Sequence, residues 1–437
     1  MSGLPRRWTE AKISDLCDLI NGKAFKPTDW STSGLPIVRI QNLNNPDAGF
    51  NFFDGGVEEK FLIKNGQLLF AWSGTPGTSF GAHVWNGEEA VLNQHIFKVN
   101  FPTGLLDKQF LKQAINQKLD ELIGKAHGGA GLQHVTKGKF EETIVSMPPL
   151  AEQKRIVAKL HTLNAKSSRA RTELTRIETL VSRYKQAVLS KAFSGELSRS
   201  DARFGEFIHT AGNGLSKREG VEGEWTNVLR LTDLNQGQFS PTEPRQIRLT
   251  DNEVEKYRLA KGDVVIIRVN GSANLVGRSF CFKNDAQWAF CDHFIRVRLK
   301  PRFDPNFAAL FLNSPPIRSI IEHKFVSTSG QKTISQKTLE ELPAPQMSLD
   351  EQHEIIRRIE SAFAKIDRLA AEARRALELV GRLDEAILAK AFRGELVPQD
   401  ENDEPAEKLL ERIRAERAAA PKAKRGRGGG RLDDDAM

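Results

Sequence analysis

Cysteine is scarce: Cys17, Cys281 and Cys291 are the only three in 437 residues, and none stands in a C-x-x-C spacing. Neither a disulfide framework nor a zinc ribbon is supported, and a reducing cytoplasm suits the chain best. Long apolar runs are missing as well. Val264–Ile267 is typical of the longest, far short of the roughly 20 residues that span a bilayer. The opening MSGLPRRWTEAK is basic with no apolar stretch behind it, so neither secretion nor membrane attachment is expected.

Catalytic signatures are also thin. There is no Walker A loop and no G-x-G-x-x-G, and the GGAG at Gly128–Gly131 has the wrong spacing. The NSPPI of Asn313–Ile317 has the paired prolines of an adenine-methyltransferase loop but lacks the aromatic that stacks on a flipped base. A turn between helices accounts for it better. His83, His95, His127, His134 and His293 show no metal-ligand spacing with carboxylates, so no metal site is expected. Asp47, Glu58 and Lys60 loosely match a Mg-dependent nuclease signature. They lie in a polar, glycine-rich stretch without flanking apolar strands, and the second half of the chain has no counterpart, so chance spacing is the better account.

What is present is a duplication. KAFSGEL (Lys191–Leu197) returns as KAFRGEL (Lys390–Leu396), and Glu152-Gln153 returns as Glu351-Gln352, both at an offset of 199 residues without a gap. Within this segment apolar residues recur at alternating four-three spacing: Ile156, Leu160, Leu163, Leu174, Ile177, Val181 and Val188, then Ile355, Ile359, Ile366, Leu369, Ala373, Val380 and Ile387. Each copy reads as one long helix with a coiled-coil seam. Ser348 to Glu351 reads as a capping box, and Gly195 and Gly394 read as left-handed terminators. Further on, Asp403 reads as the cap of a short helix whose narrow apolar stripe is Leu409, Leu410 and Ile413.

Two seams need partners, and the economical answer is that they pair with each other. Side-chain volumes leave the orientation open. The short connection from Ser198 to about Arg203 favours an antiparallel pair, with one globular segment at each end of a rod about 60 Å long.

The globular segments read as mixed α/β with short strands and echo one another: LPIVRIQNL against NVLRLTDLN, NGQLLFAWSG against KGDVVIIRVNG, NQHIFKV against CDHFIRV. The offset drifts here, so the loops carry insertions and deletions. The net charge of +8 suits a polyanionic partner, although part of it sits in the tail PKAKRGRGGGR. Loop residues with donors and acceptors suited to base edges or phosphates are Arg39, Gln41, Asn42, Asn44, Ser73, Thr75, Gln133 and Lys137 in the first segment. In the second they are Arg230, Asn235, Arg268, Asn270, Asn274, Arg278, Gln331 and Lys332. Solvation of sheet edges and plain turns accounts for any one of them equally well.

On these residues the chain resembles the specificity subunits of Type I restriction-modification systems, over essentially its whole length. The likeness is carried by MPPLAEQKRIVAKL (Met147–Leu160) with MSLDEQHEIIRRI (Met347–Ile359), by KAFSGEL with KAFRGEL, and by the ending DENDEPAEKLLERIRAER (Asp400–Arg417). The resemblance implies a mixed α+β fold with two target-recognition domains separated by a pair of long antiparallel coiled-coil helices in a pseudo-twofold internal repeat. The expected boundaries are 1–147 and 198–346 for the recognition domains, 148–197 and 347–397 for the helices, and 398–437 for a short helix and a basic disordered tail. It implies a noncatalytic chain that binds double-stranded DNA at a bipartite target.

Its implied partners are two modification (methyltransferase) subunits and restriction/translocase subunits, to which S-adenosylmethionine, ATP and Mg would belong. Glu152, Gln153, Leu160, Leu174, Val181, Phe193 and Gly195, with Glu351, Gln352, Ile359, Leu369, Val380, Phe392 and Gly394, are the expected helix-pairing and subunit-docking residues. One departure stands out: PAPQMSLDEQ replaces the Pro-Pro that precedes the first Glu-Gln pair.

Overall fold

The computed structural model describes residues 3–45, 47–74, 80–124, 133–197, 201–235, 238–328 and 330–419. The chain divides into two compact units, residues 1–170 with 379–437 and residues 171–378. Both long helices, Leu150–Leu197 and Leu349–Phe392, contribute to each unit.

In the first unit an antiparallel sheet runs in the order Asp18–Asn21, Ile96–Asn100, Leu68–Ala71, Gly81–Val84. A second sheet runs Asn51–Phe53, Leu35–Val38, Ala90–Leu92, Leu62–Ile63, with its central pair parallel. The second unit repeats both orders. Its antiparallel sheet is Ile208–Asn213, Phe294–Leu299, Val264–Ile267, Ser279–Cys281, and its mixed sheet is Arg245–Leu249, Glu224–Leu229, Trp288–Phe290, Arg258–Leu259. The four-residue runs LLFA and VVII are buried throughout, as central strands covered on both faces should be.

The repeated Phe of the heptapeptide explains the pairing of the helices. In the first unit Phe392 and Ile387, near the end of the second long helix, share a core with Ile156 and Leu160, near the start of the first. Phe392 lies 5.6 Å from the Phe110 ring. In the second unit Phe193 and Leu189, near the end of the first helix, share a core with Ile356 and Ile359, near the start of the second, and Phe193 meets Phe307 at 5.4 Å. Ion pairs continue the pattern within that unit: Lys185 meets Asp367 at 2.6 Å and Glu178 meets Arg374 at 3.9 Å. Residue numbers rise on one helix as they fall on the other, so the pair is antiparallel.

Three expectations need correction. The first helix does not stop at Gly195 but runs to Leu197. The second does stop, with Gly394 at φ +75°, the Glu395 N–H donating to Lys390 C=O and the Gly394 N–H to Ala391 C=O, the Schellman arrangement. Pro398 follows within four residues where the first copy has Arg199, and a Cβ on Gly394 would strike Pro5. The seam also drifts: Ala370 and Ala373 are buried while Leu369 and Leu383 are 61% and 54% exposed. A 3.6-residue helix loses register with a seven-residue repeat by about 20° per heptad. Finally, the Asp403 carboxylate is taken by both Arg155 guanidinium nitrogens and does not cap the terminal helix Ala406–Ala419.

That terminal helix closes the first unit. Leu409, Leu410 and Ile413 enter its core, Arg414 forks onto Asp15 at 2.9 and 3.2 Å, and Arg417 pairs with Asp18. The prolines of NSPPI do lie between helices, starting Pro315–His323 directly after Pro305–Leu312.

Candidate nucleic-acid interface

The Glu-Gln pair is where each recognition module is joined to a long helix. Gln153 is fully buried; its Oε1 accepts from the Asp107 N–H at 2.9 Å and its Nε2 donates to Pro148 C=O at 2.9 Å. Gln352 is equally buried, accepting from the Asp304 N–H at 2.8 Å and donating to the Arg302 and Met347 carbonyls. Asp107 and Asp304 in turn cap the helices that begin beside them. The neighbouring glutamates differ. Glu152 is buried and bonded by Gln399 at 2.6 Å; burial pushes its carboxyl above the usual range, while Gln399 works the other way. Glu351 closes the capping box with Ser348, and the Ser348 N–H holds its carboxyl below that range.

On the module surfaces the structure joins loops that are far apart in sequence. In the first module Ser73–Gly74 pairs with Gln133–His134, and the Val135 N–H donates to Trp72 C=O. In the second, Val269–Asn270 pairs with Lys332–Thr333, the Ile334 N–H donates to Arg268 C=O, and Val326–Thr328 adds a third strand. Asn270 therefore sits opposite Lys332, with Gln331 one position further on. The Arg268 guanidinium donates to Asp292 C=O at 3.0 Å, and Arg278 Nε donates to Asn274 C=O at 2.8 Å.

Several candidates are already engaged. Asn42 is buried; its Oδ1 accepts from the Arg39 N–H and its amide donates to Ala48 and Gly49 carbonyls, so it builds a turn. Arg39 lies 5.4 Å from the Trp30 ring, with Gln41 and Asn44 exposed alongside. Ser73 is buried. Lys137 donates to Leu19 C=O at 2.9 Å and pairs with Glu141. Arg230 meets Asp233 and donates to Glu243 C=O at 2.8 Å. Asn235 pairs across a short hairpin with Gln238, and Thr75 falls outside the described residues.

Beside the second module's loops is a cavity of about 300 Å³ lined by Lys217, Arg218, Arg230 and Arg245 with Cys291, Asp292 and His293. The last three place donor atoms within 4.8 Å of one another, the one such grouping among the described residues, and spacing alone did not single it out. Burial pushes the Cys291 thiol up to about 11, so it is protonated at neutral pH, and four cations share the walls. That chemistry suits an anion, not a divalent cation. Glu58 and Lys60 pair with each other at 2.6 Å, both more than half exposed. The buried Arg318 is a residue that sequence reasoning missed, because nothing in PPIRSII marks an inward-facing charge.

The family described as "Type I restriction modification DNA specificity domain" matches residues 5–179 and 208–378. The chain is 32% identical to the Type I restriction enzyme StySPI specificity subunit of Salmonella potsdam, covering 95% of this chain and 97% of that one. It is 29% identical to the EcoKI specificity subunit of Escherichia coli strain K12, over 95% and 97%. Among solved structures, the HsdS subunit of Thermoanaerobacter tengcongensis aligns with TM-score 0.57 at 18% identity over 90% of this chain and 98% of that one. A chain from a structure of the assembly and conformational transition of the type I R-M system aligns with TM-score 0.63 at 18% identity, over 90% and 99%. No helix among the described residues is long and apolar enough to cross a membrane. With the matched segments falling on both modules and the start of each long helix, the chain belongs to the Type I restriction-modification specificity subunits, noncatalytic recognition components whose catalytic chemistry lies in partner subunits.

Proposed function

We propose that the chain reads a bipartite duplex DNA target in the cytoplasm, one half-site by each module, with the helix pair setting the spacer between them. The observation that carries this reading is the recurrence, in both modules, of one platform made by a glycine-bearing loop strand paired with the strand before a short capped helix. A shared scaffold with unlike loops is what two readers of different half-sites need. The exposed donors of the second platform and its loop include Asn274 and Gln331, Gln41 and Asn44 are exposed on the short helix Ile40–Asn44 of the first module, and the cavity of Lys217, Arg218, Arg230 and Arg245 suits a phosphate.

Modification subunits dock on the helix pair in this reading, and restriction/translocase subunits join the complex, bringing S-adenosylmethionine, ATP and Mg. In the second unit Leu174, Ile177, Val181, Ile366 and Leu369 line an apolar groove of about 450 Å³. Leu180, Tyr184 and Leu369 stand out exposed there, an arrangement that suits burial by a protein partner.

Methylome sequencing of a host carrying the full system tests the proposal. A bipartite methylated motif that vanishes on deletion of this gene is expected, and exchange of residues 1–147 for another module should change one half only. One heptad inserted into both helices should widen the spacer by roughly three base pairs. An unchanged methylome, or plasmid cutting by the isolated chain with Mg²⁺ that Glu58→Ala abolishes, would overturn it.

A further inference from the structure

The loop from Arg268 to Arg278 is closed at its base, where the Gly277 N–H donates to Ile267 C=O and the Ile267 N–H to Arg278 C=O. Beyond that base its outer residues, Gly271, Ser272 and Asn274, are exposed. An exposed excursion of this length has few ways to hold one shape, because each peptide unit must find a partner better than water.

Within the loop the Leu275 N–H donates to Ser272 C=O and the Arg278 N–H to Leu275 C=O, and Arg278 Nε reaches Asn274 C=O; the contact from outside the loop is a side chain. Arg318, on the helix Pro315–His323, is 9% exposed and directs its guanidinium at the underside of the loop. One terminal nitrogen donates to Val276 C=O. The other donates to Asn274 C=O at 3.2 Å and Ala273 C=O at 3.4 Å, and to Glu322 Oε1 at 3.4 Å. Burial pushes the guanidinium down from its usual range and Glu322 counters it. A planar fork can hold three carbonyls at fixed angles; an ammonium, being a point donor, cannot. The fit is close: a Cβ on Gly277, which sits at φ +80°, would lie 2.8 Å from the Arg318 guanidinium and 2.7 Å from Ile321.

The position that corresponds to Arg318 in the first module carries the opposite charge. The offset of 197 residues that pairs Asn116 with Asn313, each bonded through its amide to a strand residue, Ala82 and Ser279, pairs Glu121 with Arg318. A carboxylate cannot donate to carbonyls.

We infer that Arg318 is a positioning residue for DNA specificity: by holding the carbonyls of Ala273, Asn274 and Val276 it sets where Asn270, Asn274 and Arg278 stand, and so the base preference of the second half-site alone. A reading group displaced by even an ångström loses its directional bonds. The inference rests on the bipartite reading proposed above.

Its test compares methylomes of a host expressing the complete complex with wild-type chain, Arg318→Gln or Arg318→Lys. Discrimination between the right and wrong base should fall by about tenfold or more in one half of the motif, with the other half unchanged, and lysine should not restore it. The unchanged half also reports that the complex has folded and assembled. Identical preferences in both halves, or equal loosening of both, would overturn the inference, as would full rescue by lysine. If Arg318→Gln does not accumulate, Gly277→Ala displaces the same guanidinium from the loop side and is read by the same criteria. Absence of any bipartite motif with the wild-type chain would instead defeat the underlying proposal.

Discussion

The two recognition modules share strand order, helix caps and the buried glutamine clamp, yet they differ at three polar contacts. At the ends of the two central strands of the antiparallel sheet the first module has a neutral contact, Gln67 to Asn100 at 3.4 Å, where the second has an ionic one, Arg298 to Asp263 at 2.9 Å. The turn closed by the buried Asn42 in the first is closed by Asp233 paired with Arg230 in the second. The surface loop is clamped by Arg318 in the second, where the first has Glu121. Only the first is closed by the chain's terminal helix. The buried glutamines and the Asp107 and Asp304 caps are kept between the copies, whereas the Gln67–Asn100 and Asp263–Arg298 contacts and the residue that meets the loop carbonyls are exchanged; any arrangement that satisfies its buried polar groups will serve.

The comparison can be broken most forcefully at the helix ends. Phe193→Ala should destabilise the second unit, and Phe392→Ala the first, each by about 3–5 kcal/mol. Hydrogen exchange resolved by unit, which avoids assuming a two-state whole, should show each loss confined to its own unit; loss of protection spread over both would sink the idea of separate cores. Leu409→Ala or Ile413→Ala should cost about 2–5 kcal/mol and loosen the first unit alone, since the second has no such helix.

The glutamine clamp gives a matched pair. Gln153→Ala and Gln352→Ala each leave a buried N–H and at least one carbonyl without a partner, a loss of about 2–4 kcal/mol. Equal losses in denaturant titrations followed by unit-specific probes would confirm the equivalence. A negligible loss in either would show that water replaces the clamp.

The smallest effects have opposite signs. Glu152 has its carboxyl raised by burial, so the protonated form is favoured in the fold; this contribution is present below the ordinary carboxylate range and is lost as pH rises through the raised value. Glu351 has its carboxyl lowered by the cap, so its contribution is present above that range and is lost as pH falls through the lowered value. Thermal melts against pH should therefore flatten just above the ordinary carboxylate range for Glu152→Gln and just below it for Glu351→Gln. Matching profiles for the two would contradict the difference in burial. Ser348→Ala should cost about 1 kcal/mol through the same cap.

Much of the fold was legible. The duplicated seam, the Ser348 capping box and the helix end at Gly394 depend on local spacing and backbone conformation, which residue types report directly. Gly195 misled because a glycine permits a helix end without compelling one, and Leu369 misled because strict heptad counting ignores the drift of a straight helix. The candidate interface was legible only as composition. Asn42 reads the same on paper whether it faces DNA or folds back onto Ala48 and Gly49.

The sequence by itself determined the twofold repeat, the two long helices and the kinship of the chain, because periodicity and spacing survive without coordinates. Tertiary structure alone decided which polar groups remain available, bringing Asn270 opposite Lys332 and placing Arg318 beneath the loop at Ala273–Val276. The reason is physical: a donor's role depends on the acceptor that reaches it first, and acceptors more than 40 residues away in the chain meet a side chain only after the strands and helices have packed.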